Sequence, residues 1–102
     1  LQVNTSKKTE LIDITEMVSS EVESAGIGDG MCVIRTAHTT TSILINENEA
    51  GLVSDIIGML ERIVPSNAGY NHDRIDNNAD SHLRSILLFL LNLMGQESAM
   101  WM

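Results

Sequence analysis

The sequence predicts one small domain that mixes β-strands with helices. Three observations predict it: short β-branched apolar runs separated by turn signals, a long segment with apolar residues at helical spacing, and an Asn/Asp-rich stretch that joins this segment to a second helical run. At 102 residues the chain is near the common domain size but buries a limited fraction of its surface, so self-association is expected.

The elements follow in order. Leu11, Ile12 and Ile14 around Asp13 read as the end of a strand, and Thr15 is placed to cap a helix from Glu16 to Ala25 that Gly26 stops. Asp29-Gly30 marks a turn. Residues 31–36 then form a β-branched run that reads as a strand entering the core, with Cys32 as a small buried residue. From Ala37 onward a regular strand would place Ala37, Thr39, Thr41, Ile43 and Ile45 on one side and His38, Thr40, Ser42, Leu44 and Asn46 on the other. Asn48 is positioned to cap a helix from Glu49 to Val64, in which Leu52, Val53, Ile56, Ile57, Leu60, Ile63 and Val64 recur at helical spacing before Pro65. Residues 66–80 are rich in Asn, Asp and Gly, and a final helix starts near Asp80 or Ser81 with His82 in its first turn.

Charge and composition exclude several functions. Six basic residues stand against 14 acidic ones, a net charge of −8 that repels phosphate backbones and anionic membranes, so nucleic acid is a poor partner. Residues 86–94 are apolar but shorter than the roughly 20 residues a membrane-spanning helix needs. A single cysteine builds no disulfide framework, and the start shows no basic segment leading into an apolar one, so a cytoplasmic location without a secretory signal is expected.

The candidate site rests on the histidines. All three lie in two polar blocks: His38 within Ala37-His38-Thr39-Thr40-Thr41-Ser42, and His72 and His82 on either side of Asp76-Asn77-Asn78. Neutral imidazoles are common zinc ligands, so His38, His72 and His82 with Glu47 or Asp76 could supply a divalent-metal site, although no local ligand motif is present. Alternatively His38 or His82 moves a proton while Thr40, Ser42 and Asn46 orient a small-molecule ligand. At the start of its helix the dipole favours a neutral His82 ring. Each feature also has a plain structural reading: hydrogen-bonded histidines, a threonine-rich strand, Glu47 or Glu49 opposing a helix dipole, and an Asx turn at Asp76-Asn77-Asn78.

Taken together, Ile12-Asp13-Ile14-Thr15, Gly28-Asp29-Gly30, His38-Thr39-Thr40-Thr41-Ser42, Ile45-Asn46-Glu47-Asn48-Glu49, Tyr70-Asn71-His72, Asp76-Asn77 and His82-Leu83 resemble the YjbQ family, also called the secondary thiamine-phosphate synthase family. The resemblance runs from about Thr9 to Leu88. It implies an α+β domain with a mixed half-barrel sheet and two or three helices, assembled as a cytoplasmic homotrimer. It further implies a site of His38, Asn46, Glu47, His72, Asp76, Asn77 and His82, with the histidines suggested as metal ligands. The implied activity joins a hydroxymethylpyrimidine diphosphate to a thiazole phosphate, with a divalent cation such as magnesium shielding the departing pyrophosphate. His38, Glu47 and Asp76 are the catalytic candidates, and Thr40, Ser42, Asn46 and Asn77 the ligand-binding ones. The rival functions are a zinc-dependent hydrolase with Glu47 as base, and a non-enzymatic trimeric ligand-binding protein.

Residues 89–102 do not resemble the family, which continues to a Gly-Thr-Trp-Gln motif. The expected organisation is therefore a YjbQ-like domain over residues 1–88, shortened relative to the family, and an atypical tail over residues 89–102. Leading into that tail and through it, Leu87, Leu90, Leu91 and Met94 form an apolar stripe able to extend the last helix and pack at a subunit interface.

Overall fold

The computed structural model describes the backbone of residues 1–99 and the side chains of residues 1–90. Its regular elements are helices: α1 (Thr15–Ser24), α2 (Ala50–Ile63), a 3₁₀ turn over Asn71–Arg74, and α3 (Ala79–Ala99). The chain divides into two compact units, residues 1–34 and residues 35 onward.

No strand occurs among the described residues, which overturns the α+β half-barrel expectation. A strand exists only where its N–H and C=O groups pair with a neighbour, and residues 11–14, 31–36 and 37–46 form no such ladder. Their β-branched composition is a preference that becomes a sheet only against a partner surface. Met31 and Val33 are accordingly 90% and 77% exposed, and Cys32 is exposed as well, contrary to its expected place in a core. The alternation expected from Ala37 also fails. The chain turns at Thr39–Thr40, with Thr41 N donating to His38 O at 3.4 Å, and Ser42, Ile43 and Leu44 are half-buried in succession while Ile45 is exposed.

In the first unit, α1 begins one residue before its expected start. Asp13 Oδ1 accepts the Thr15 N–H at 2.9 Å, so Thr15 lies inside the helix and does not cap it. Met17 and Val18 supply its half-buried side. Gly26 follows the C-cap with φ +66°, a left-handed conformation that costs glycine little and ends the helix as the sequence predicts.

In the second unit, the cap of α2 is Glu49, one residue after the expected Asn48. Its carboxylate accepts from Gly51 N and Leu52 N, both at 2.7 Å, and satisfies two of the donors every helix start leaves open. Leu52, Val53, Ile56, Ile57, Leu60 and Val64 are half-buried or buried as the helical spacing requires, whereas Ile63 is exposed. Among the described residues Leu60, Val64 and Ala79 are the buried apolar ones, and they place the core where the end of α2 meets the start of α3. Polar groups complete it, because Asp80 and Arg84 on α3 are also buried.

Candidate functional site

The segment between α2 and α3 leaves the core at Val64 and returns at Ala79. Asn67 and Gly69 both have positive φ, 56° and 77°, which turns the chain back toward α3. The Tyr70 hydroxyl donates to the Pro65 carbonyl at 2.8 Å, anchoring the segment just before its 3₁₀ turn. Asp73 then reaches forward, its Oδ1 accepting the Ala79 N–H at 3.0 Å, so a residue outside α3 satisfies a donor at that helix's first residue.

These anchors bring His72 from the 3₁₀ turn against His82 from the first turn of α3. The ring centroids lie 4.9 Å apart and the planes meet at 83°, an edge-to-face arrangement. Asn78 Oδ1 lies 3.1 Å from His72 Nε2. With that oxygen as acceptor, Nε2 carries the proton and a neutral ring keeps its lone pair on Nδ1. Tyr70, Asn71, His72, Ala79, His82 and Leu83 line an open pocket of about 340 Å³ around the pair. Neither a carboxylate nor a lysine or arginine is among these lining residues.

The other sequence-predicted residues lie elsewhere. The backbone of His38 organises its own turn, its carbonyl accepting from Thr41 Oγ1 at 3.0 Å and its N–H donating to Thr36 Oγ1 at 3.3 Å, and its ring is not part of the pocket lining. Thr40 is exposed and Ser42 half-buried in the same segment. Asn46 folds back so that its Oδ1 accepts the Glu47 N–H at 2.7 Å, ahead of α2, and neither residue lines the pocket. Asp76 and Asn77 are exposed, and Asp76 contributes through its carbonyl, which accepts Asn78 N at 2.7 Å. Sequence reasoning passed over Asp73 and Asn78 as individual contributors. Their signal was position: each lies within the six residues leading into an Ala-Asp-Ser helix start, where Asx side chains satisfy open donors.

Among the described residues, no group of three or more His, Cys, Asp or Glu gathers where it could hold a metal ion. The His72–His82 pair offers two donors, short of the three protein ligands of a catalytic zinc site and the four of a structural one. The described residues therefore do not by themselves fit a resident metal.

The family profile described as "UPF0047 protein YjbQ-like" matches residues 1–91. The chain belongs to this family. A UPF0047 protein of Methanothermobacter thermautotrophicus is 56% identical over 88 residues, covering 86% of this chain and 62% of that one. A second, from Archaeoglobus fulgidus, is 49% identical and covers 86% and 68% of the two chains. A crystal structure of a YbjQ-like protein of unknown function from Sulfolobus solfataricus matches with a TM-score of 0.81 at 40% identity, covering 84% of this chain and 62% of that one. This YjbQ-like chain thus spans about three-fifths of the length of relatives it matches. Among its described residues no helix is long and apolar enough to cross a membrane.

Proposed function

We propose that this YjbQ-like chain carries a small-molecule site centred on His72 and His82, in which the imidazoles bind a compact, largely uncharged ligand and exchange protons with it. The observation that supports this reading is the edge-to-face meeting of the two rings in an open pocket. A neutral imidazole presents one N–H and one lone pair, so two of them side by side offer both a proton donor and a proton acceptor. Asn78 holds the His72 ring in one orientation, while Tyr70, Ala79 and Leu83 provide apolar walls. A cavity of this size suits a ligand at the small end of the range.

Thiamine-phosphate synthesis is the reaction the family resemblance implies, and it is a separate arm of the test. It requires positive charge against the departing pyrophosphate, which the lining residues do not carry. Metal-dependent hydrolysis is a further arm, in which zinc or magnesium would take its remaining ligands from solvent or substrate. The reading keeps the chain in the cytoplasm as a homotrimer. The exposed Leu83, Ile86, Phe89 and Leu90 on α3 support association, which sedimentation of the purified chain measures directly.

The deciding experiment is a ligand-observed NMR screen of neutral fragments, run with the wild-type chain and His72→Ala/His82→Ala. Fragments bound by the wild type and lost in the variant support the site, and equal binding to both refutes it. The two thiamine precursors with magnesium, assayed for product, and zinc content after dialysis separate the other arms.

A further inference from the structure

We infer that Arg84 is a positioning residue for the His72–His82 pair, acting through the two ends of the segment that carries His72. This rests on the reading of that pair as the functional site. Arg84 is 5% exposed, and its guanidinium meets both ends of residues 65–78. Its Nε and Nη2 donate to the Val64 carbonyl at 3.0 and 2.8 Å, at the C-cap of α2. Nη2 also donates to Ser66 Oγ at 3.3 Å, and Nη1 lies 3.7 Å from Asp80 Oδ2 in the first turn of α3. The Ser66 hydroxyl donates to the same Asp80 oxygen at 2.5 Å, so exit and return are joined at one part-buried cluster.

Helix geometry separates this cluster from the pocket. Asp80 and Arg84 are four residues apart and share one face of α3, turned to the end of α2. Ala79, His82 and Leu83 form the neighbouring stripe and line the pocket, whose lining does not include Arg84. The bonds to Val64 and Ser66 give Arg84 a route to the histidines through the segment that carries His72. Asp73 and Asn78 bind that segment to itself and to α3, but its departure from α2 is fixed by Val64 and Ser66. Where those two residues are held sets where the Asn71–Arg74 turn lands over His82.

Lysine cannot take this role. One ammonium lacks the planar fork that reaches a carbonyl twice and still serves a hydroxyl and a carboxylate. A shift of about 0.5 Å between the imidazoles is enough to matter, because site geometry tolerates little more.

The test is the nuclear Overhauser effect between the His72 and His82 ring protons in the full chain. In Arg84→Lys it falls about twofold for a displacement of that size, and Ser66→Ala weakens it in the same direction. Leu60→Ala is the control for general destabilisation and leaves the ring contact in place. A folded Arg84→Lys with the wild-type ring signal overturns the inference. Where Arg84→Lys does not fold, Ser66→Ala decides alone: a weakened ring signal supports the inference and an unchanged one overturns it. Failure of the fragment screen in the wild type, with the ring signals still responding to Arg84, would remove the functional reading and leave the positioning role standing.

Discussion

The hydroxyl of Ser85 donates a 2.6 Å hydrogen bond to the carbonyl of Thr41, 44 positions earlier in the chain. It fastens the threonine block that holds His38 to α3, one turn beyond His82. The block also holds itself together, through hydroxyl contact of Thr36 with Thr41 at 2.5 Å and the bonds of Thr41 to His38 O. Ser85→Ala should cost about 1 kcal/mol, the usual net worth of one such bond. Hydrogen exchange should localise the loss to amides of residues 36–42 while those of α2 keep their protection.

Removing Arg84 is expected to be far more costly. Arg84→Met leaves the Asp80 carboxylate, 2% exposed, without its guanidinium and takes two donors from the Val64 carbonyl. Breaking a buried charge pair from one side costs about 3 kcal/mol or more. Urea denaturation should show this, and adding Asp80→Asn should recover part of the loss because the buried charge is then gone.

Acid should loosen the start of α2. The bond from Gly51 N and then that from Leu52 N hold the Glu49 carboxyl below its ordinary value of 4.5 in the folded chain, against a smaller opposing effect of desolvation. A depressed folded value means the ionised form favours folding. Its contribution is complete above 4.5 and is lost as pH falls through the depressed value. Glu10 is lowered in the same sense, first by the Ser6 N–H, so acid acts on both units and a single-site comparison is required. Helical circular dichroism of Glu49→Gln should start below the wild type at neutral pH and converge with it in acid. Parallel curves would contradict this account.

Gly69 tests the backbone of the His72 segment separately from its contacts. A Cβ there meets nothing within 4 Å, yet φ is +77°. Gly69→Ala should therefore cost about 1–2 kcal/mol from conformation alone. Gly28 is equally open in space without a positive φ, so Gly28→Ala should be close to neutral in the same thermal melts.

The helices were largely legible because their bonds are local. The apolar spacing from Leu52 to Val64 and the Pro65 that follows specify α2 within the segment itself, and α3 starts at Ala79, one or two residues before the expected Asp80 or Ser81. The caps were less so. Asn48 and Thr15 are good capping types, but Glu49 and Asp13 provide the bonds, because a cap depends on dihedral angles at single residues.

The polar blocks were visible as blocks, and their convergence was not. Nothing in spacing distinguishes His38, turned into a local threonine loop, from His72, carried to α3 by Tyr70, Asp73 and Asn78. Asp76 and Asn77 drew attention by composition, while one position away Asn78 makes the side-chain contact. In irregular backbone, as over residues 76–78, no fixed period carries side-chain direction from one residue to the next.

The sequence by itself determined the acidic balance, the places of the helices and the two polar stretches, since each is written in composition or in local periodicity, and its motifs carried the family resemblance. Only the tertiary structure decided that the β-branched runs stay unpaired among the described residues, and that His72 meets His82 above a core closed by Arg84. The physical reason is the range of the bonds involved. A helix satisfies its backbone within four residues, whereas a strand or a site is complete only when residues distant in the chain supply the other half.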